Sequence, residues 1–287
     1  MKYKAFLTIF VCLVQIGVAQ EIELDQVREY DADFSFPSDI CGNNEGEVYV
    51  LDGMNNRVVI LRSNGRIDEI IPQRESFYKS VGIAWIKNAL WIADTPRSRL
   101  LRMELNGRIS KIVELSHGTE PVGITAVGNN IALTDRVNHA ITVVDENTRE
   151  KYYWGKRGEK IGQFINPSFL TTDSDNRLVI SDMLNRRVVS YSQSGRFPQM
   201  IAKPGVEQGQ VFRPKGIGID SKNQIWIVDG YTGSLQSFSQ QGKFLGVATH
   251  KHKTIQLNAP MGVWVDTKDQ LWVVESRANK VSVWQLK

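Results

Sequence analysis

The chain has 287 residues, 41% hydrophobic and 23% charged, with 35 Lys and Arg against 31 Asp and Glu. Those proportions exclude a disordered chain, a collagen-like chain and a multipass membrane protein, and they leave room for a large core in one domain or two. A net charge of +4 and a pI near 9.0 invite a nucleic-acid or acidic-lipid reading, which depends on where the charge sits.

Residues 1–19 read as a secretory signal peptide. Lys2 and Lys4 are its basic start, Ala5 to Val18 its apolar run, and Gly17-Val18-Ala19 the small residues ahead of a cut after Ala19. The run is too short and wrongly flanked for a spanning helix. The mature chain is thus expected to be secreted or periplasmic, with no membrane span. Without Lys2 and Lys4 the 35 basic residues become 33 and the net charge falls to +2. Cys12 leaves with the leader. Cys41 is then a lone cysteine that cannot form an intramolecular disulfide, and it reads as a small buried hydrophobe.

From residue 20 onward the sequence repeats. Six hydrophobic runs end in an acidic residue, at Asp52, Asp94, Asp135, Asp182, Asp229 and Glu275, with separations of 42, 41, 47, 47 and 46 residues. Fourteen or fifteen residues upstream of each stands Pro37, Ser80, Pro121, Pro167, Pro214 or Pro260. A short apolar strand follows each of these positions, as in Gly216-Ile217-Gly218-Ile219. A polar turn such as Ser221-Lys222-Asn223-Gln224 leads to the strand that ends in the acid. Five residues after the acid a third strand begins, for example Arg57 to Leu61 or Arg187 to Tyr191, and a less regular fourth strand precedes the next proline. Four short strands per repeat without helical periodicity predict an all-β, six-bladed β-propeller of four-stranded antiparallel blades.

The predicted blades span about 36–79, 80–119, 120–165, 166–212, 213–258 and 259–287, within one propeller domain over 20–287. The last copy ends after its third strand. Its fourth is expected from an N-terminal strand within 22–34, around Gln26 to Tyr30, which would close the ring and leave no open edge. The first and second strands are apolar on both faces, as expected of sheets covered on both sides. Tyr49, Trp91, Trp226 and Trp272 share one repeat position and read as inter-blade packing.

The unit Pro-x-Gly-Ile, a strand ending in Asp, then Asn-x-Arg-Val resembles the NHL repeat. Its best copies are Pro214-Lys215-Gly216-Ile217 and Asp182-Met183-Leu184-Asn185-Arg186-Arg187-Val188. The resemblance covers residues 36–287 and implies a propeller. Related propellers include zinc-dependent amidating lyases, streptogramin-type lyases and lactonases with metal sites, as well as tripartite-motif proteins that bind RNA. RNA binding needs a phosphate-neutralising excess of charge that +2 does not supply. Zinc needs three or four converging ligands, and the sequence holds only His117, His139, His250 and His252, so no cofactor is expected. No Ser or Cys nucleophile has a readable triad, so no catalytic residue is assigned.

The repeated acids, with Arg57, Arg99, Arg187 or Lys280 five residues on, read as structural loop braces. Function is sought where copies differ. On the face carrying the acids and prolines, the unrepeated residues are Arg97, Arg136, His139, Arg186, Arg213, Lys215, Tyr231 and Arg277, with Lys79, Met54, Met183 and Leu184 among them. They predict a cationic upper rim for an anionic or sugar-like ligand, or for a partner's acidic loop. Asp39 and Phe169, at the channel mouth, replace a glycine found in the other four copies. Asp39 is expected to pair structurally, with a cation or the rim arginines as its other partners. The expected function is a non-catalytic binding module for a polysaccharide, peptide or protein partner. The alternative is a lyase or lactonase-type enzyme, metal-dependent, using the same opening.

Overall fold

The computed structural model describes residues 20–43, 45–62, 64–73, 77–116, 118–145, 147 and 149–287. The leader read over residues 1–19 and His117 lie outside the described residues. Among the described residues no helix is long and apolar enough to cross a membrane.

The chain is an all-β propeller whose blades are four-stranded and antiparallel. A long strand, β1 (Glu21–Tyr30), comes first. The next sheet holds β2 (Asp39–Gly42), β3 (Glu47–Asp52), β4 (Arg57–Arg62) and β5 (Ile67–Ile70). It is followed by β6 (Gly82–Ile86), β7 (Ala89–Asp94), β8 (Arg99–Met103) and β9 (Ile109–Glu114). Then come β10 (Pro121–Val127), β11 (Asn130–Asp135), β12 (Ala140–Val144) and β13 (Glu150–Trp154). The sheet of β14 (Pro167–Thr172), β15 (Leu178–Asp182), β16 (Arg187–Tyr191) and β17 (Gln199–Pro204) gains the short parallel β18 (Gln210–Val211). Last are β19 (Pro214–Ile219), β20 (Ile225–Asp229), β21 (Leu235–Phe238), β22 (Phe244–His250) and β23 (Lys253–Thr254), then β24 (Pro260–Val265), β25 (Gln270–Glu275) and β26 (Lys280–Leu286).

In these last strands one sheet runs β19-β20-β21-β22-β1-β26-β25-β24. β1 lies parallel to β22 over Glu21–Glu23, then runs antiparallel to β26 over Leu24–Tyr30.

The first strand of each sheet lies innermost, and these strands pack in a cycle: β2 on β6, β6 on β10, β10 on β14, β14 on β19, β19 on β24, and β24 back on β2. The cycle explains the glycines at its upper end. A Cβ on Gly82 would stand 2.0 Å from the Val122 carbonyl oxygen, and one on Gly216 would stand 2.5 Å from that of Met261. Only a residue without a side chain lets neighbouring backbones approach so closely.

The aromatic repeat position fills the space between sheets. Tyr49, Trp91, Trp226 and Trp272 are all at most 4% exposed. Tyr49 stacks on Trp85 at 5.2 Å, so one sheet's second strand grips the next sheet's first. Burying each such ring stabilises the ring fold by roughly 1.5–3 kcal/mol. Two of the indole N–H groups are satisfied within their own hairpins: Trp226 donates to Asp220 and Trp272 to Asp266, both at 3.0 Å. Cys41 is a buried free thiol within the same core.

Candidate functional site

Antiparallel pairing puts four of the prolines beside the acid of the next strand: Pro121 faces Asp135, Pro167 faces Asp182, Pro214 faces Asp229 and Pro260 faces Glu275. The loops before the prolines and after the acids therefore share one face, the upper one.

The six acids are almost wholly buried and brace that face. Asp182 accepts from the Ile165 N–H at 2.9 Å, from Asn185 Nδ2 at 2.8 Å and from Arg187 Nε at 2.9 Å. Arg187 in turn donates to the Glu159, Lys160 and Gln163 carbonyls. Asp52 with Arg57 and Asp94 with Arg99 repeat the ion pair. Where the partner is Ser234, Asp229 is held by four backbone N–H groups, those of Phe212, Arg213, Tyr231 and Thr232. The carboxylate is thus the constant part of the brace and the cation the replaceable part.

The unrepeated residues divide into two groups. Several serve their own loops. Arg97 pairs with Asp94 at 3.4 Å, Arg136 with Glu120, and the Lys79 ammonium lies 4.8 Å from the centre of the Tyr78 ring. His139 Nδ1 accepts from the Asn166 N–H at 3.1 Å, and its φ of 55° makes it a turn residue, which removes it as a ligand-binding imidazole on that nitrogen. Arg277 stands exposed in a single turn of 3-10 helix after Glu275.

Arg213 and Lys215 form the second group. They line a cavity of about 340 Å³ whose walls include Met183, Leu184, Pro260 and Met261. It opens where the loop after β15 meets the upper ends of β19 and β24. Burial, then the charges of Arg213 and Arg136, hold the Lys215 ammonium below its ordinary pKa, while Asp229 pulls the other way. At the flank, Arg186 lies 4.3 Å from the centre of the Phe212 ring, and Phe212 stacks on Tyr231 at 4.4 Å. Tyr231 is 61% exposed and Leu184 50%.

Phe212, Pro260 and Met261 were not among the rim residues read from the sequence. Phe212 and Pro260 flank or form the repeated proline positions, so they looked like repeat grammar. Two similar loops were also missed, and they account for two of the longer repeat spacings. In one, Gly158 N–H donates to the Phe164 carbonyl and Lys160 N–H to Gln163 Oε1. In the other, Gly205 N–H donates to the Val211 carbonyl and Glu207 N–H to Gln210 Oε1. The recurrence of Gly-x-x-x-Gly-Gln at 158–163 and 205–210 was the available signal.

Below the mouth lies a separate cavity of about 190 Å³ inside the channel, lined from all six inner strands. Asp39 and Phe169 both line it, and they are 8% and 4% exposed. Asp39 Oδ2 accepts from the Ile83 N–H at 3.0 Å. Among the described residues no cationic side chain forms an ion pair with it, so the expected alternative pairing with the rim arginines gives way to a backbone contact. Burial pushes its pKa up to about 7, against the lowering effect of the Ile83 and Ile40 N–H groups. Burial likewise pushes the neighbouring Cys41 thiol well up, with the Asp39 charge second.

Among the described residues no group of three or more His, Cys, Asp and Glu side chains is placed to hold a metal ion. The mouth's donor set is cationic, which does not suit a divalent cation.

No protein-family model and no curated protein matches this sequence. Solved structures do share its fold. A streptogramin B lyase superposes with a TM-score of 0.68 at 17% identity, covering 91% of this chain and 97% of that one. A gluconolactonase from Xanthomonas campestris gives 0.69 at 15% identity, covering 90% and 88%. A chain of a nidogen/laminin complex gives 0.61 at 18% identity, covering 84% and 86%. At these identities the likeness establishes the propeller fold.

Proposed function

We propose that the upper mouth binds a small ester or lactone that develops negative charge as it reacts, and that the chain acts on it as a propeller enzyme of lyase or lactonase type. In this reading the ring has six NHL-type blades, with β1 completing the last, and the leader exports it. Six inner strands converging on one channel and the β1–β26 pairing support that ring.

One observation carries the functional reading: Lys215 shares a cavity with Arg213, and burial and then the charges of Arg213 and Arg136 lower its pKa. A lysine that loses its proton more readily than usual can take the proton beside an ester carbonyl, the electron pair forming a double bond as the oxygen on the next carbon leaves, or can deprotonate a water that adds to a lactone carbonyl and breaks its ring C–O bond. Arg213, the other cation of the cavity, can then stabilise the negative charge that develops on the carbonyl oxygen. The metal-dependent form of the chemistry does not fit these residues, so no step is assigned to a metal. The named activities of the streptogramin B lyase and the gluconolactonase favour turnover over passive binding.

The test is turnover of a streptogramin B and of glucono-lactone by the purified chain, with Lys215→Met beside it. Turnover lost in the variant, at unchanged melting temperature, supports the reading. Equal turnover by both proteins removes Lys215 from it. No turnover of either compound, with a partner captured on the same face, favours the second reading, a binding module. Exposed Tyr231 and Leu184 support that second reading, as does a fold shared with a chain of the nidogen/laminin complex.

A further inference from the structure

The mouth cavity has an unusual division of labour. Its side chains are either apolar or cationic: Met183, Leu184, Pro260 and Met261 on one hand, Arg213 and Lys215 on the other. No neutral hydroxyl or amide side chain lines it. The backbone N–H of Gly230, which also borders the cavity, is already given to the Arg213 carbonyl at 2.9 Å.

That inventory discriminates among anions. A sugar acid presents several hydroxyls, and each one desolvated without a partner costs about 1–3 kcal/mol. The side-chain donors on these walls are Arg213 and Lys215, which the acid group takes, and no side-chain oxygen lines the cavity to accept from the hydroxyls. An anion with a hydrocarbon or aromatic body faces no such cost, and its body gains from covering the methionine and leucine surface. A guanidinium matches a carboxylate through two parallel hydrogen bonds, and an ammonium adds charge without fixed geometry. The Arg186–Phe212–Tyr231 ladder extends the apolar wall toward solvent, with Tyr231 exposed at its end.

We infer that the mouth selects a small carboxylate with an apolar body, its head on Arg213 and Lys215 and its body against Leu184, Met183 and Met261. The inference rests on the mouth being a ligand site, as proposed above, but not on turnover there. It replaces the sugar-like ligand that the sequence suggested with a more restricted class.

Titration calorimetry with three probes tests it: 1-naphthoate, its neutral amide 1-naphthamide, and glucuronate. Naphthoate should bind, and the other two should bind at least about tenfold more weakly, since each lacks one half of the match. Arg213→Gln and Leu184→Ser alter exposed positions, so both variants should fold, and each should weaken naphthoate by about tenfold. Glucuronate binding as well as naphthoate overturns the inference, as does equal binding of the amide or no binding of naphthoate. Naphthoate carries no lactone and no leaving group. Naphthoate binding without turnover of the compounds tested above would therefore sink the enzyme reading alone, and turnover without naphthoate binding would sink this inference alone.

Discussion

The mouth and the channel beneath it share the inner strands β19 and β24, yet they treat charge in opposite ways. At the mouth, cations stand on loop ends where water and neighbouring groups can screen them. Arg213 is exposed, and even Lys215 is only half-buried. In the channel the one carboxyl among the described lining residues, Asp39, is buried and meets a backbone N–H group instead of a cation. The difference teaches that repeat proteins vary freely at loop ends but only narrowly inside the ring. A loop end can take almost any side chain, whereas the upper end of the channel takes glycine unless the neighbouring strands leave room.

Breaking a brace of the mouth should have the largest effect. Arg187→Ser copies the residue that stands naturally at Ser234, but here Asp182 would keep its burial and lose its cation. Burial already raises the Asp182 pKa, with the Arg187 charge among the groups lowering it. Removing one partner of a buried pair costs about 3–5 kcal/mol, read as a shift in the denaturation midpoint. A loss below about 1 kcal/mol would mean that backbone donors alone suffice in this copy too.

Asp39→Asn sharpens the contrast from the channel side. The folded-state pKa of Asp39 is about 7 and its ordinary value 3.8, so the folded protein holds a proton that the unfolded chain releases. Stability from this group is therefore full below about pH 4, falls as pH rises, and levels off above about pH 7. The shift of about three units corresponds to a loss on the order of 4 kcal/mol. The Asn variant cannot ionise and should lack that component. Parallel stability profiles for the two proteins between pH 4 and 8 would show that Asp39 ionises inside the channel without penalty.

Gly82→Ala asks how tightly the neck is closed. The added methyl meets the Val122 carbonyl, which belongs to the backbone of the next inner strand and cannot swing aside. A destabilisation of about 1–3 kcal/mol is expected from chemical denaturation, and a neutral result would show that the inner strands can separate.

Arg136→Gln should have the smallest effect on stability. Arg136 and Glu120 are both partly exposed, and such a pair contributes at most about 1 kcal/mol. The same variant should nonetheless raise the pKa of Lys215, because one of the charges lowering it is gone. Titration of the lysine side chain by NMR would detect that, and an unchanged titration would separate Arg136 from the mouth.

Much of the fold was legible because a repeated unit states its own grammar. The prolines, the acids and the inter-blade aromatics each recur at a fixed offset, and each has one physical reason to recur. The carboxylate recurs because loop N–H groups need an acceptor, and Trp226 or Trp272 because two sheets must be filled between. The mouth was only half legible. Arg213, Lys215, Met183 and Leu184 stood out as departures from the repeat, but nothing in the sequence distinguished them from Arg97 or His139, which serve their own loops.

The sequence by itself determined the strands, their order and the end of the ring at which variation collects, because alternation, turn residues and spacing are local properties. Tertiary structure decided which of the scattered cations share a cavity and which carboxyl loses its water. Those outcomes depend on residues from separate blades meeting, Lys215 with Met261 and Leu184, or Asp39 with Ile83. Only the closing of the ring brings them together.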